Sequence, residues 1–425
     1  MNPNQTTPQA ATMQEMTNSG GWHPGGYHPV DIGDIITNAA SEDSYTIIHK
    51  LGYGGFSTVW LAKRHHKHPL TGRPLPASFH AFKILRADLD DARVDHELRF
   101  LQFLGQVGKS SHPNIVVLED SFTISGPNGQ HRCLVFHFVG PSLYLRQSVK
   151  KLTPSQRNSI CQQLASAVDF MHLRGICHGD LTPSNAALTV PGIQSMTEHA
   201  LLEVLGPIRD ETLQLFKGGV PDSPHAPKKV VAAASFPGLN FGLSPLRAQI
   251  IDFGTAFFAN NPSPSLGCPI EFFPVELLFQ YPASDKSDVW QLAALMFYTY
   301  TGRYVFFPGF SVFALLVADI VKFHGPLPDH WRTKFDWSRD GGVPGKVLSE
   351  PSWWFDGTKS TMPLDDHIAQ DVPYLAEPQR AEFARLLCDM LALEPANRIL
   401  PAAEAYQRLK APLFQSQQDI GHHKL

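Results

Sequence analysis

Leu51-Gly-Tyr-Gly-Gly-Phe-Ser-Thr-Val-Trp-Leu61 is the stretch that decides the fold of this 425-residue chain. Tyr45-Thr-Ile-Ile48 before it and Thr58 to Leu61 at its end have the β-branched and aromatic composition of strands. The glycines between them predict a tight strand–turn–strand with the spacing G-x-G-x-x-G-x-V, in which Ser57 takes the third glycine's place. Gly52 and Gly54 leave room for the phosphates of a nucleotide to approach the backbone.

Two other readings of this turn stay open at this point. A plain hairpin whose glycines adopt positive φ explains the same residues without a ligand. A dinucleotide fingerprint fits less well, because strand residues rather than helix residues follow the turn.

A lysine and a glutamate follow the turn at positions suited to phosphate binding. Lys83 lies in Ala81-Phe-Lys83, inside the predicted strand Phe79 to Leu85. Apolar residues at i, i+4 and i+7 from Val94 predict an amphipathic helix, with Glu97 at the edge of its buried face. Since a lysine on the α- and β-phosphates must be held by a carboxylate, we expect Lys83 and Glu97 to pair. The alternative is two unrelated surface charges.

Two later motifs carry the remaining chemistry of phosphoryl transfer. In His178-Gly-Asp-Leu-Thr-Pro-Ser-Asn185, Asp180 is the expected carboxylate that orients a hydroxyl and accepts its proton. Asn185, five residues later as in H-R-D-L-x-x-x-N, and Asp252 of Ile250-Ile-Asp-Phe-Gly254 are expected oxygen ligands for Mg²⁺. Either motif alone occurs by chance. In this order, behind the turn and the lysine, they indicate ATP-dependent phosphoryl transfer.

The order of predicted elements gives the domain organisation. Residues 1–24 are rich in Asn, Gln, Thr, Pro and Ser and are expected to be a disordered tail. Residues 25–138 are mainly strands with one helix. Residues 139–425 are mainly helical, beginning at the Thr153-Pro154 helix start, and contain a Pro/Gly-rich insert at about 190–247 with one helix, Thr197 to Leu205. We therefore predict an α+β fold, the bilobal eukaryotic protein kinase fold with a β-rich N-lobe and a larger helical C-lobe.

Three motifs in the predicted helical lobe resemble structural marks of protein kinases. Pro274-Val-Glu276 resembles the A-P-E motif, and Ser287-Asp288-Val-Trp290 resembles the helix start whose aspartate braces the catalytic loop. Glu394-Pro-Ala-Asn-Arg398 resembles the site of the arginine that pairs with the A-P-E glutamate. We expect a buried, structural ion pair between Glu276 and Arg398.

With these residues in view, the chain resembles the SR-protein kinase family, in particular its divergent fungal branch. The resemblance runs from about Gly25 to Leu413 and includes Gly25-Gly-Tyr-His-Pro-Val30, Leu51 to Leu61, Glu198 to Gly206 and Pro227-Lys-Lys-Val230. It implies a serine/threonine kinase that uses Mg-ATP and phosphorylates Arg/Ser-rich proteins such as splicing factors. It also implies catalytic roles for Asp180, Lys83 and Glu97. The implied nucleotide-binding residues are Leu51, Gly52, Gly54, Gly55, Ser57, Val59, Ala81, Lys83, Phe136 and Val139.

Composition and charge limit the classes of partner and the cellular locations that we expect for this protein. A net charge of −4 and a pI near 6.6 give no basic footprint for nucleic acid or an anionic membrane, and a mildly acidic balance suits a basic protein substrate. The five scattered cysteines are expected to be reduced, mostly buried thiols. No signal peptide is recognisable, and the apolar stretch Val305 to Val317 is too short to span a bilayer. We expect a monomer in the cytoplasm, the nucleus or both.

Departures from the usual kinase pattern keep two alternatives open. Gly179 replaces the arginine that binds a phosphorylated activation loop, Thr182 replaces the lysine that meets the γ-phosphate, and Phe273 replaces an arginine before the A-P-E motif. The loss at Thr182 raises the alternative of a weak or inactive pseudokinase scaffold. The H-G-D sequence also resembles aminoglycoside and choline kinases, so a small-molecule phosphotransferase is the second alternative.

Overall fold

The computed structural model describes residues 21–68, 70–106, 112–190, 192–212, 224–242, 246–263, 265–340, 349–358, 362–399 and 402–411. The chain forms two compact units. The first comprises the described residues within Met1–Ser111, Val116–Gly140 and Gly192–Asn240, and the second those within His112–Ile115, Pro141–Pro191 and Phe241–Leu425. The predicted disordered tail lies outside the described residues up to residue 20.

Strands and helices alternate unevenly along the chain. The strands are β1 (Ile35–Thr37), β2 (Ser44–Gly54), β3 (Ser57–His65), β4 (Ser78–Leu85), β5 (Leu118–Gly126), β6 (Gly129–His137), β7 (Ile176–Cys177), β8 (Ala186–Leu188), β9 (Asp210–Thr212), β10 (Lys229–Val231), β11 (Ala248–Ile250) and β12 (Phe257–Phe258). The helices are α1 (Asp91–Val94), α2 (His96–Gln106), α3 (Arg146–Lys150), α4 (Pro154–His172), α5 (Glu198–Leu205), α6 (Asp285–Thr301), α7 (Phe313–His324), α8 (Trp353–Asp356), α9 (Leu364–Asp371), α10 (Glu377–Met390) and α11 (Ala402–Lys410).

The first unit is built on a six-stranded sheet in the order β1-β2-β3-β4-β6-β5, with every neighbouring pair antiparallel. Side chains alternate between its two faces, because successive residues of a strand point in opposite directions. Residues spaced by two on the central strands, such as Trp60, Phe82 and Val135, pack into one hydrophobic cluster. Their sequence neighbours, among them Val59 and Lys83, therefore lie on the other face.

The insert packs with the first unit over Gly192–Asn240, whereas the sequence analysis counted it with the helical C-lobe. The reason lies in its contacts. Lys63 of β3 pairs with Glu198 of α5 at 2.8 Å, and the Ala234 backbone N–H donates to the Lys50 carbonyl of β2 at 2.9 Å. Val231 of β10 belongs to the hydrophobic cluster of the sheet. A composition rich in proline and glycine predicts a connection, but not which unit it will cover.

The second unit is mainly helical, and its helix α4 begins at the predicted Thr153-Pro154 start. Thr153 caps α4: its hydroxyl accepts from the Gln156 backbone N–H, and the Gln156 side chain accepts from the Thr153 backbone N–H. One apolar face of α4 is fully buried and consists of Ile160, Leu164, Val168 and Met171. Helix α6 is buried from Ser287 to Tyr300, so it runs through the core of this unit.

All five cysteines are free thiols, and four of them are buried, as the sequence predicts. Within the described ranges, none of the helices combines the length and apolar character needed to cross a bilayer.

Candidate functional site

Strand pairing in the first unit brings several of the predicted nucleotide-binding residues onto one face of the sheet. Gly52 pairs with Val59 across β2 and β3, and Val59 pairs with Lys83 across β3 and β4. Ala81, two residues before Lys83, pairs with Phe136 of β6. Because paired residues point to the same side, Val59, Ala81, Lys83 and Phe136 form one continuous surface.

The glycine-rich turn has a backbone that any residue could adopt. Gly52, Gly54 and Gly55 are not among the glycines with positive φ, so the plain-hairpin reading based on left-handed glycines does not apply. A Cβ atom built on any of the three meets no described atom within 4 Å. The glycines therefore leave open space beside the backbone, which is the condition a phosphate group needs to approach it.

Lys83 and Glu97 form a buried ion pair, as the sequence predicts. Nζ of Lys83 donates to Oε2 of Glu97 at 2.7 Å. Glu97 is the second residue of α2, so its carboxylate also lies at the favourable, positive end of the helix dipole. The pair fixes a lysine ammonium on the face that carries Val59 and Ala81. A fixed ammonium of this kind suits the oxygens of a phosphate chain.

In the second unit, a short antiparallel pair of strands joins the other two motifs. Ala186 at the start of β8 pairs with Ile250 at the end of β11. Asn185 therefore lies opposite Ile251, whose backbone N–H donates to the Asn185 carbonyl at 2.9 Å. Asp252 follows directly and is one of five non-glycine residues in the described ranges with positive φ, at 65°. Strain of this kind in a polar residue is typical of functional sites.

Asp180 lies in a buried and negatively charged environment. The Asn185 amide group donates to Oδ2 of Asp180 at 2.7 Å and to its carbonyl at 2.9 Å. Oδ1 of Asp180 is buried and has no hydrogen-bond partner among the described residues. Burial, with the nearby negative charge of Asp252, raises the pKa of Asp180 to about 7.

Helix α6 fixes the backbone that carries Asp180. Asp288 is fully buried, and its two carboxylate oxygens accept from the backbone N–H groups of His178 at 2.7 Å and Gly179 at 2.8 Å, which confirms the predicted brace. Gln291 adds two bonds that the sequence analysis missed, accepting from the Leu181 backbone N–H and donating to the Gly179 carbonyl. The signal was present, since Gln291 lies three residues after Asp288 on the same helix face.

Two departures from the usual kinase pattern, at Gly179 and Thr182, can be described from the structure. Gly179 has φ +78°, and a Cβ atom there would lie 2.9 Å from the Thr255 carbonyl oxygen, so this backbone has no room for an arginine. Thr182 is only 1% exposed. The position of the usual lysine is thus filled by a small, buried hydroxyl residue without a charge.

The predicted ion pair between Glu276 and Arg398 is confirmed. Nη1 of Arg398 donates to Oε1 of Glu276 at 2.9 Å and Nη2 donates to Oε2 at 2.6 Å. The side chain of Glu276 is 1% exposed and that of Arg398 is 0% exposed. The pair lies in the second unit and ties the A-P-E-like motif to the segment after α10, which is a structural role.

Each unit thus contributes one group of candidate residues. Lys83, Glu97 and the glycine-rich turn lie in the first unit, and Asp180, Asn185 and Asp252 lie in the second. A carboxylate beside an amide and a second carboxylate is a donor set suited to Mg²⁺, which prefers oxygen ligands. A fixed ammonium beside an open glycine turn is suited to a triphosphate. Sequence reasoning did not single out Gln291, Tyr27 or Arg86, and the last two also contact the glycine-rich turn.

Comparison with known proteins finds one matching domain family and several similar curated proteins. Residues 45–191 match the protein kinase domain family. Among curated relatives, serine/threonine-protein kinase spk-1 of Caenorhabditis elegans is 36% identical over 42% of this chain and 17% of its own length. Serine/threonine-protein kinase SKY1 of Saccharomyces cerevisiae is 30% identical over 46% of this chain and 26% of its own, and human SRSF protein kinase 3 is 32% identical over 39% and 28%. The chain spans less than a third of the length of each of these three relatives.

A solved structure agrees with the fold. The crystal structure of a kinase domain matches with a TM-score of 0.58 at 17% sequence identity, covering 91% of this chain and 98% of that domain. The fold of this chain is therefore the protein kinase fold, as predicted from the sequence.

Proposed function

We propose that this chain, which carries a protein kinase domain related to the SR-protein kinases, transfers the γ-phosphate of ATP to serine or threonine hydroxyls of protein substrates. The chain spans less than a third of the length of these curated relatives, and the support for this activity comes from its own residues. Protein kinases of this family use ATP and Mg²⁺.

The first unit would bind the nucleotide. The open space at Gly52, Gly54 and Gly55 fits a phosphate chain, and the ammonium of Lys83, held by Glu97 at 2.7 Å, fits its α- and β-phosphates. Val59 and Ala81 are apolar and share the face of Lys83, which suits contact with the adenine ring. Leu51, Ser57, Phe136 and Val139 belong to the same proposed nucleotide-binding set.

The second unit would hold the metal. Asn185 and Asp252 are the proposed ligands, since the Asn185 amide nitrogen is already used on Asp180 and its oxygen remains to meet a cation. A buried carboxylate whose pKa is raised by a neighbouring carboxylate is also an environment that favours a cation. Bound Mg²⁺ would neutralise charge on the phosphate oxygens during transfer.

The state of the Asp180 carboxylate is the observation that carries the proposal. One of its oxygens is fixed by Asn185, and the other is buried without a partner among the described residues. The backbone N–H groups of its neighbours His178, Gly179 and Leu181 donate to Asp288 and Gln291, which lie in the buried part of α6. A carboxylate held this firmly, with an acceptor oxygen to spare, is suited to orient a substrate hydroxyl and to accept its proton.

We further propose that the substrates are basic, Arg/Ser-rich proteins such as splicing factors. Two observations support this substrate class: one relative is named SRSF protein kinase 3, and the net charge of this chain is −4, which favours association with a strongly basic segment. We also propose that the protein acts as a monomer in the cytoplasm, the nucleus or both.

A second candidate function is a scaffold that keeps the kinase fold with little or no turnover. Thr182 favours it, because a buried threonine provides no positive charge where most kinases place a lysine. Loss of one such electrostatic contact typically costs about 3 kcal/mol of transition-state stabilisation, so slow transfer is the expected outcome rather than none.

A substrate panel with Mg-ATP tests the proposal. We would measure labelled phosphate on an Arg/Ser repeat peptide, on the same peptide with every arginine replaced by glutamate, and on choline and an aminoglycoside. The proposal predicts labelling of the first peptide alone, abolished in Asp180→Ala. Labelling of choline or the aminoglycoside would support a small-molecule kinase, and Mg-ATP binding without any labelling would support the scaffold.

A further inference from the structure

The segment before β1 contacts the glycine-rich turn of its own unit directly. The hydroxyl of Tyr27, in Gly25-Gly-Tyr-His-Pro-Val30, donates to the Gly54 carbonyl at 2.7 Å. Arg86, the residue after β4, donates from Nη1 to the Gly55 carbonyl at 3.4 Å and from its backbone N–H to the Phe56 carbonyl at 3.0 Å. Three successive carbonyls of the turn therefore accept hydrogen bonds from Tyr27 and Arg86.

The backbone around Tyr27 is fixed by hydrogen bonds to other parts of the first unit. The Gly25 N–H donates to the Asn128 carbonyl at 2.7 Å, and the Asn128 side-chain amide donates to the Tyr27 carbonyl at 2.5 Å. The Ala87 N–H donates to the Gly26 carbonyl at 3.1 Å. A Cβ atom at Gly21 would lie 2.6 Å from the Tyr27 ring, so this glycine lets the backbone close over the ring. The phenol thus has a fixed position between the β5–β6 hairpin and the glycine-rich turn.

Arg86 is fixed in the same place. Its guanidinium forms two bonds to the Asp88 carboxylate, at 3.0 and 2.5 Å, and lies over the Tyr27 ring at 5.2 Å from the ring centre. The guanidinium bonds the Gly55 carbonyl and stacks on the phenol that bonds the preceding carbonyl, so Tyr27 and Arg86 act on the turn together.

Peptide geometry determines what these bonds do to the turn. In a trans peptide the carbonyl and the N–H of the following residue point in opposite directions, and the described residues contain no cis peptide. With the Gly54 carbonyl turned toward Tyr27, the Gly55 N–H points away from Tyr27. With the Gly55 carbonyl turned toward Arg86, the Phe56 N–H points away from Arg86. We call Tyr27 and Arg86 together the clamp. Both N–H donors face the side opposite the clamp, and the glycines add no side chain that would cover them.

We infer that Tyr27 and Arg86 are positioning residues that aim the Gly55 and Phe56 N–H groups at the phosphates of bound ATP. This inference rests on the proposed function, since it assumes that the turn binds a nucleotide. Without the clamp, a turn containing three glycines would sample many backbone orientations, and binding would have to order it.

Nucleotide selectivity tests this role, because a positioning effect acts on phosphates and spares the nucleoside. We would measure dissociation constants of Mg-ATP and of adenosine by calorimetry for the wild type, Tyr27→Phe and Arg86→Met. Tyr27→Phe keeps the ring over Gly21 and removes one hydrogen bond, so Mg-ATP should bind about 3- to 10-fold more weakly while adenosine binding stays within about twofold. In nucleotide-free protein, hydrogen exchange of a peptide covering residues 52–57 should become faster.

Tyr45→Phe is the matched control. It removes another tyrosine hydroxyl of the same sheet, one that bonds Asp120 rather than the turn, and should leave the ratio of the two dissociation constants unchanged. If the wild type binds Mg-ATP and Tyr27→Phe and Arg86→Met keep the wild-type ratio, the inference is overturned and the proposed function stands. If the wild type binds neither adenosine nor Mg-ATP, the proposed function fails and the inference with it.

Discussion

Replacing Arg398 by methionine should destabilise the second unit by about 3–5 kcal/mol, because the substitution leaves a buried carboxylate without its counter-ion. Arg398 is 0% exposed and donates two bonds to Glu276, at 2.9 and 2.6 Å. It also donates to the backbone carbonyls of Ala392, Lys286 and Leu393. After the substitution, Glu276 keeps only the hydroxyl of Ser287 as a donor among the described residues.

The magnitude follows from burial rather than from the number of contacts. A charge-assisted hydrogen bond contributes about 1.5–3 kcal/mol, and the stranded charge adds its desolvation cost because water does not reach it. Urea unfolding at pH 7 followed by tryptophan fluorescence measures the loss, since Trp290 lies 4.9 Å from the guanidinium and reports on this unit.

An exposed pair in the same unit provides the control. Arg385 donates to Glu382 at 2.7 Å, but its side chain is 67% exposed, so Arg385→Met should cost no more than about 1 kcal/mol. The double variant Glu276→Leu with Arg398→Met removes both charges and should recover part of the loss. A cost for Arg398→Met as small as that of Arg385→Met would show that burial of the pair is not the cause. The same conclusion would follow if the double variant lost more stability than Arg398→Met and Glu276→Leu lose together as single variants.

Three further outcomes are expected. Thr182→Lys should raise the phosphate-transfer rate by about 10²-fold, which corresponds to the roughly 3 kcal/mol of one electrostatic contact, and the uncharged Thr182→Met should not, measured as initial rates at saturating Mg-ATP. Equal rates in both variants would exclude charge as the cause. Burial lowers the pKa of His28 from 6.5 to about 4, so the neutral side chain stabilises the fold fully above pH 6.5 and this stabilisation is lost as the pH falls. Between pH 6.5 and 5 the free energy of unfolding, measured in urea, should fall by about 1.5 kcal/mol more in the wild type than in His28→Asn. Parallel plots of this free energy against pH for the two proteins would contradict the prediction. Thr153→Ala removes the capping hydroxyl of α4 and should cost about 1 kcal/mol in the same assay, whereas no change would mean that the cap is redundant.

The elements that follow simple periodicity could be predicted from the sequence. The turn at Leu51 to Leu61, the Thr153 cap and the apolar face of α4 are local signals, and the structure has all three. The pairs Lys83–Glu97 and Glu276–Arg398 were predictable for another reason. Their chemistry requires a partner, and the motif order supplied one candidate for each.

Other features depend on contacts between residues distant in sequence. Strand β5 was not predicted, because its first residues, Leu118-Glu-Asp-Ser121, lack a run of apolar residues, and it forms through pairing with β6. The packing of the insert on the first unit depends on bonds such as Ala234 to Lys50, which no local pattern encodes. The hydrogen bond from Tyr27 of the clamp to the Gly54 carbonyl joins residues far apart in sequence. A tyrosine in a Gly/Pro-rich segment does not by itself predict such a bond.

Asp180→Asn tests whether this chain transfers phosphate with Asp180 as the proton acceptor. We would measure the rate of phosphate transfer from Mg-ATP to an Arg/Ser peptide by the wild type and by the variant. Asparagine keeps the size of the side chain and removes its ability to accept a proton. We expect transfer by the wild type and a rate about 10²- to 10⁴-fold lower in the variant, with Mg-ATP binding retained. Equal rates in the two proteins, at equal nucleotide occupancy, would contradict it.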